Sequence, residues 1–254
     1  MALLGLQDPA PFSVFNANCS SNLLFTSDHN GSAIPTKLQN LGVPLNELRR
    51  HVAYDIGIDS VAHALSARFN APLIVANYSR LVIDCNRHPG AAGSIPSVSD
   101  NTVVPGNKNL SDDDIKSRED EIFDAYHSSV GNRISIMRSE NKNPILISLH
   151  SFTPVIGGQF RPWEIGILFK DDERLSAPLI NKLREQKDLN IGDNKPYSGS
   201  EPAGYTVDYH VEPLNLLSVA VEFRQDLIEF ESGAVRWANI FGDALDHVLD
   251  TKIS

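Results

Sequence analysis

Short continuous apolar runs, each stopped by turn-forming residues, alternate along this chain with stretches whose apolar positions recur at helical spacing. The run NLLFTS (22–27) stops at Asp28-His29-Asn30-Gly31, which predicts a strand delivering a polar loop. Residues 59–69 place Val61, Ala64 and Leu65 at helical spacing and end before Asn70-Ala71-Pro72, so they read as a helix. APLIVANYS (71–79) is a β-rich run, and LVID (81–84) continues it beyond Arg80, as expected of a strand covered on both faces. Residues 88–114 are dense in Pro, Gly, Ser, Asn and Asp, too long for an ordinary connection, and read as a lid. A helix is predicted over 115–131, with Ser111 as N-cap, Asp112 to Asp114 near its positive end and Gly131 as its stop. NPILISLHSFTP (143–154) gives a buried strand ending on His150, and WEIGILF (163–169) gives another. A helix over 174–186 carries Leu175, Leu179, Ile180 and Leu183 on one face, and 187–204 forms a second polar loop. LLSVAVEFRQDLI (216–228) ends the sheet, and an amphipathic helix over 232–250 closes the fold. The alternation predicts an α/β protein: one domain over 1–254, built on a mixed, mostly parallel sheet with helices on both faces.

Composition then narrows the class. Hydrophobic residues make up 41% and charged residues 21% of the 254, an ordinary globular balance. With 32 acidic against 22 basic side chains the net charge is −10, so the molecule repels a phosphate backbone and nucleic acid is not an expected partner. Cys19 and Cys85 lie far apart, form no disulfide framework and suit a reducing compartment. The N-terminal stretch lacks a basic leader region, and no run approaches the ~18 apolar residues of a membrane span. A cytoplasmic location without a membrane partner is therefore expected.

In open α/β sheets ligands bind beyond the carboxyl ends of the strands. Four polar groups sit at such ends: Asp28-His29, Arg80 with Asp84-Asn86-Arg87, His150, and Glu222 with Arg224. A metallohydrolase needs nitrogen and oxygen ligands that leave a coordination position open, a carboxylate to take a proton, and a cation for the oxyanion. This inventory holds each part, although each member also has a plain structural reading. His29 suits an ordinary loop, Asp84 suits a turn in which it pairs with an arginine, and Glu222 suits an ion pair with Arg80 or Arg224. Within VAVEF an unpaired carboxylate costs several kcal/mol, so Glu222 has a partner or a function.

TSDHNGSAIP (26–35), NYSRLVIDCNR (77–87), ILISLHSFTP (145–154) and VAVEFRQDLI (219–228) together resemble the N-formylglutamate amidohydrolase family. HVAYDIGI (51–58), NKPYS (194–198) and GYTVDYH (204–210) also fit, in the family's order. The family is similar in fold and site plan to zinc carboxypeptidases and aspartoacylases. The resemblance implies a zinc-exopeptidase-like fold, one Zn2+ per chain, and hydrolysis of a small anionic N-acyl amino acid, N-formylglutamate first among them. It makes His29 and His150 zinc ligands, Glu222 the general base, Arg80 the group that polarises the scissile carbonyl, and Asn86 with Arg87 the grip on the substrate's α-carboxylate. Arg224 or Arg161 is expected at a side-chain carboxylate and His210 at the substrate, while His127, on a helix, reads as a core or surface histidine that the resemblance also connects with the site. Where the carboxypeptidase pattern has a glutamate ligand three residues after the first histidine, this chain has Ser32, and Asp28 is read as the substitute third ligand. Two alternatives stand beside this reading: a deacylase or peptidase with the same chemistry, and a metal-free small-molecule-binding protein on the same fold.

Overall fold

Every residue of the strands Leu23–Ser27, Leu73–Ala76, Ile145–Phe152 and Ile165–Leu168 is buried, the signature of a sheet covered on both faces. In the computed structural model, which describes residues 2–200 and 204–252, these strands form the centre of one seven-stranded sheet. In chain order the elements are β1 (Phe12–Phe15), β2 (Leu23–Ser27), α1 (Ile58–Arg68), β3 (Leu73–Ala76), the hairpin β4 (Val98–Ser99) and β5 (Thr102–Val103), α2 (Asp112–Arg118) and α3 (Asp124–Ser139). There follow β6 (Ile145–Phe152), the hairpin β7 (Val155–Ile156) and β8 (Gln159–Phe160), β9 (Ile165–Leu168), α4 (Glu173–Arg184), β10 (Ile191–Asp193), α5 (Tyr205–His210), β11 (Leu217–Arg224) and α6 (Glu231–Lys252). The sheet order is β1-β3-β2-β6-β11-β9-β10. The pairs β3-β2, β2-β6, β6-β11 and β9-β10 are parallel, while β1 and β9 run antiparallel to β3 and β11.

Side-chain alternation splits the core into two layers. Leu23 and Phe25, Ile147 and Leu149, Val219 and Val221 face α1, α4 and α6, whose Val61, Leu65, Leu179, Trp237 and Phe241 complete one apolar layer. Leu24, Ile74 and Leu146 face the other way, against Tyr126, Val130, Ile134 and Met137 of α3. Fully burying each large side chain contributes about 1.5–3 kcal/mol.

The structure departs from the sequence reading in several places. Residues 81–84 are turns and coil rather than a continued strand: Leu81, Val82 and Ile83 are buried because they plug the second layer beneath α3. Gly131 does not stop a helix. After α2, capped by Ser111 as predicted, a short wide-turn segment leads into α3, which runs on to Ser139. Gly131 lies inside α3, facing the His210 ring. The edge strands β1 and β10 were not foreseen. Within the 88–114 segment, Gly106 and Asn107 are pinned to the body, because buried Arg118 donates to the Val82 carbonyl, to Asn107 and to the Gly106 carbonyl. The second polar loop is described up to Ser200 and from Gly204, so residues 201–203 of that predicted lid lie outside the described residues.

Candidate active site

Parallel pairing of β6 with β11 puts His150 directly beside Glu222, and β2 on the other side of β6 ends in the loop carrying Asp28 and His29. That loop turns back over the end of β3 because residue 31 is glycine: a Cβ there would sit 2.0 Å from the Asn77 carbonyl oxygen. The His29 carbonyl accepts the Asp55 amide at 2.9 Å, which fixes Asp55 just before α1 begins. Ser79 and Arg80, beyond β3, are tied to the Ala53 carbonyl through the Ser79 hydroxyl and the Arg80 amide. Three segments remote in sequence are thus bound together by their own backbone.

His29, Asp55 and His150 form a buried cluster whose ligand atoms lie within 4.8 Å of one another. Asp55 Oδ2 is 3.1 Å from His150 Nδ1 and 3.6 Å from His29 Nδ1, and it accepts the Ser151 amide at 3.1 Å. The opposite ring nitrogens are also engaged. His29 Nε2 is 2.7 Å from Asp84 Oδ1, and His150 Nε2 is 3.0 Å from the Ser148 hydroxyl and 3.5 Å from Asp28 Oδ2. Both rings therefore present Nδ1 to the cluster and are held from behind by oxygen acceptors, the arrangement that orients metal-binding imidazoles.

This arrangement corrects the third-ligand expectation. Asp28 sits behind His150, where its Oδ1 accepts the Tyr126 hydroxyl at 2.7 Å and the Thr206 hydroxyl at 2.8 Å, and Asp55 takes the place beside both imidazoles. The carboxylate missing at Ser32 thus arrives from another loop. The sequence signal for it was the block HVAYDIGI, in which Asp55 is an acid placed directly before a helix.

The electrostatics follow from four buried carboxyls around two imidazoles and one guanidinium. Burial opposes charge on His150, but Asp28 and Asp55 overcome it and push the ring up to about 10; His29 is raised as well by Asp84 and Asp55. Against the same burial cost, the histidines hold Asp28 down to about 2 and Asp55 well below the carboxylate range, and with Arg80 they do the same to Asp84. Glu222 goes the other way: burial, with Asp55 nearby, pushes it up to about 7. Its Oε2 is buried without a hydrogen-bond partner among the described residues.

His29, Asp55, Arg80, Asn86, Arg87, His150 and Glu222 all line one cavity of about 390 Å³. Arg80 lies between Asp84, at 2.9 Å, and Asp55, at 3.4 Å, with its side chain 24% exposed towards this space. Asn86 Nδ2 is 3.5 Å from His150 Nε2, while its Oδ1 accepts the Thr206 amide. Tyr197 overhangs the site because Gly166 and Gly192 let the backbone of Lys195 approach so closely that a Cβ at either would clash with its carbonyl.

Two predicted substrate contacts are not in this space. Arg224 turns to Asp226 at 2.8 Å and to the Pro162 and Trp163 carbonyls. His210 is buried against α3, its Nε2 3.1 Å from Nδ1 of His127, whose Nε2 donates to the Cys85 carbonyl. His127 is likewise held in that packed layer. Arg161 touches the site at one remove, donating to the Tyr197 hydroxyl at 2.9 Å.

The chain matches the N-formylglutamate amidohydrolase family over residues 21–229, a span holding every residue of the cluster and its cavity. It belongs to that family. As a member it is an amide-hydrolysing enzyme. A structure of a gene product of Agrobacterium tumefaciens is 30% identical, superposes with a TM-score of 0.96, and is matched over 99% of this chain and 100% of that one. The N-formylglutamate amidohydrolase of Ralstonia eutropha shares the fold at 18% identity, with a TM-score of 0.74 over 96% of this chain and 99% of its own. A comparison with curated proteins returns no match. Among the described residues no helix is long and apolar enough to cross a membrane.

Proposed function

We propose that the chain is a zinc-dependent hydrolase, one ion per chain, that cleaves the amide of an N-acyl amino acid, with N-formylglutamate to formate and glutamate as the reaction to measure first. One observation carries this reading: Asp55 Oδ2 faces Nδ1 of both histidines in the same cavity that is lined by Glu222, whose buried Oε2 has no partner among the described residues. Two neutral imidazoles and one carboxylate form a donor set suited to zinc, and acceptors behind each ring fix the tautomer that metal binding requires. The carboxylates that raise both histidines also favour a divalent cation, whose binding would release the protons the rings hold. His29, Asp55 and His150 would hold the ion, which supplies a Lewis acid that makes water nucleophilic near neutral pH.

The remaining steps belong to the chain. Glu222, with an affinity for protons near neutrality, takes the proton of the attacking water on Oε2 and returns it to the departing nitrogen. The Arg80 guanidinium, anchored by Asp84, directs a fixed positive charge at the oxyanion that develops on the acyl carbon. Arg87 and Asn86 hold the α-carboxylate, Arg87 offering the planar fork that suits two carboxylate oxygens. Asp28 serves by fixing His150 through Ser148 rather than by binding the ion. A cytoplasmic setting agrees with both cysteines being free, and one domain spanning the chain agrees with the single continuous sheet. Release of formate from N-formylglutamate by the zinc-loaded protein, lost on chelation, tests the reading; formate release unaffected by chelation would refute it.

A further inference from the structure

The cavity extends well past the catalytic end. On the face of the sheet opposite α1, α4 and α6, helix α3 covers the β3-β2-β6 half, while β11 and β9 present Ser218, Ala220 and Leu168 to the cavity. There Ser218 and Ala220 stay half-buried, although Val219 and Val221 on the same central strand are fully buried on the other face. Together with Ser148 they floor a slot of small side chains. Leu168, Phe169, Val207, Val211 and Leu216 line the same cavity. Along β11 the lining extends from Glu222 to Ser218, with the exposed Asn215 beyond it. Four strand residues span ~13 Å, a length that an extended aliphatic chain of about eight carbons fills.

Arg80, Arg87 and Asn86 line the cavity at the Glu222 end, and the other charged lining, Lys170, Asp171, Asp172 and Glu212, is exposed or half-buried, with Lys170 paired to Glu212. A formyl group is about as large as one water, whose share of liquid volume is about 30 Å³, so it would leave the apolar limb unused. Apolar walls favour an occupant that sheds water on entry, by about three- to fourfold in affinity per buried methylene. Resting on the hydrolase reading above, we infer that the slot is an acyl subsite, and that the chain hydrolyses N-acyl amino acids whose acyl group is a medium-length unbranched aliphatic chain. The reaction balances as a hydrolysis. The water oxygen bonds to the acyl carbon and the carbon–nitrogen bond breaks. One water hydrogen passes to nitrogen, the other leaves the carboxylic acid as a proton, and no oxidant or reductant takes part.

The test uses zinc-supplied full-length protein and the N-formyl, N-acetyl, N-butyryl and N-octanoyl derivatives of glutamate, with free glutamate measured. We expect kcat/KM for the octanoyl compound to exceed that for the acetyl compound at least tenfold. Ser218→Phe, which fills the floor, should lower this ratio at least tenfold, and Ala220→Leu serves if that variant does not fold. In parallel, calorimetry compares acetate with octanoate, expected to differ at least tenfold in affinity in the wild type and not in the variant. Turnover of the formyl compound with no octanoyl preference and no octanoate preference overturns the acyl subsite and leaves the hydrolase standing. Turnover of no compound, with octanoate preferred and the preference lost in Ser218→Phe, overturns the hydrolase reading and upholds the slot as an aliphatic binding site.

Discussion

Replacing Glu222 with glutamine separates catalysis from stability in one residue. The amide keeps the volume of the carboxyl but cannot take a proton from water, so turnover should fall by the ~10²–10⁴ that general-base catalysis contributes, about 2.7–5.4 kcal/mol of barrier. Stability should move the other way. In the unfolded chain this carboxyl ionises near 4.5, whereas burial in the fold pushes it up to about 7. A carboxyl raised on folding costs no stability below about pH 4.5; the cost grows as pH rises through 7 and is then constant. At pH 8, in metal-free protein, that cost is on the order of 3 kcal/mol, and the glutamine variant escapes most of it. A chain of this size gains ~2–4 °C in Tm per kcal/mol, so the variant should melt several degrees higher at pH 8 and no higher at pH 4.5. Product release and calorimetric melting at the two pH values measure both halves. Turnover within threefold of wild type at equal metal content would refute the catalytic role, and a lower Tm at pH 8 would refute the electrostatic argument.

Three further outcomes follow from the same geometry. Arg80→Lys keeps a positive charge but loses the fork held by Asp84 and Asp55, so kcat should drop ~10²–10³ with metal content unchanged, as measured by steady-state kinetics beside elemental analysis. The fold keeps His127 and His210 neutral: burial lowers both, His210 to about 4, with His127 beside it. Because unfolded histidine titrates near 6.5, stability should fall as pH drops from about 6.5 towards 4, by up to ~3 kcal/mol from His210, and urea midpoints should show the decline flattened in His210→Gln. Arg118→Met removes a buried guanidinium that donates to the Val82 carbonyl and to Asn107 Oδ1, leaving those two oxygens without it at a cost of about 2–4 kcal/mol. Thermal melting should register that loss, and turnover should fall too, since Val82 leads directly to Asp84.

Where burial on both faces produced an unbroken apolar run, as in β2 and β6, the strand and the polar residue at its carboxyl end were readable without structure. His29 and His150 stand out for that reason, and Glu222 because a carboxylate within VAVEF is costly to bury; all three line one cavity. The same rule misled at Leu81-Val82-Ile83, whose burial comes from irregular chain packed under α3. A continuous apolar run reports burial and does not report backbone conformation. Edge strand β1 is short and largely exposed, and β10 has only three residues, so neither leaves a period. Asp55 was hidden for a different reason: its place beside His29 depends on an amide-to-carbonyl bond between loops, which no local pattern encodes. Asp28 drew attention by adjacency to His29, yet neighbouring residues diverge, and Asp28 turns to Tyr126 and Thr206 while His29 turns to Asp55.

The central claim is a metal held by His29, Asp55 and His150, with Asp28 outside the ligand set. Elemental analysis of purified, zinc-supplied wild type beside Asp55→Asn and Asp28→Asn, each checked for folding by circular dichroism, tests it directly. We predict about one zinc per chain in the wild type, nearly none in Asp55→Asn, and no more than the 10–100-fold weakening typical of an outer carboxylate in Asp28→Asn, overcome by added zinc. No stoichiometric metal in the wild type, or full metal in folded Asp55→Asn with none in Asp28→Asn, would contradict the account.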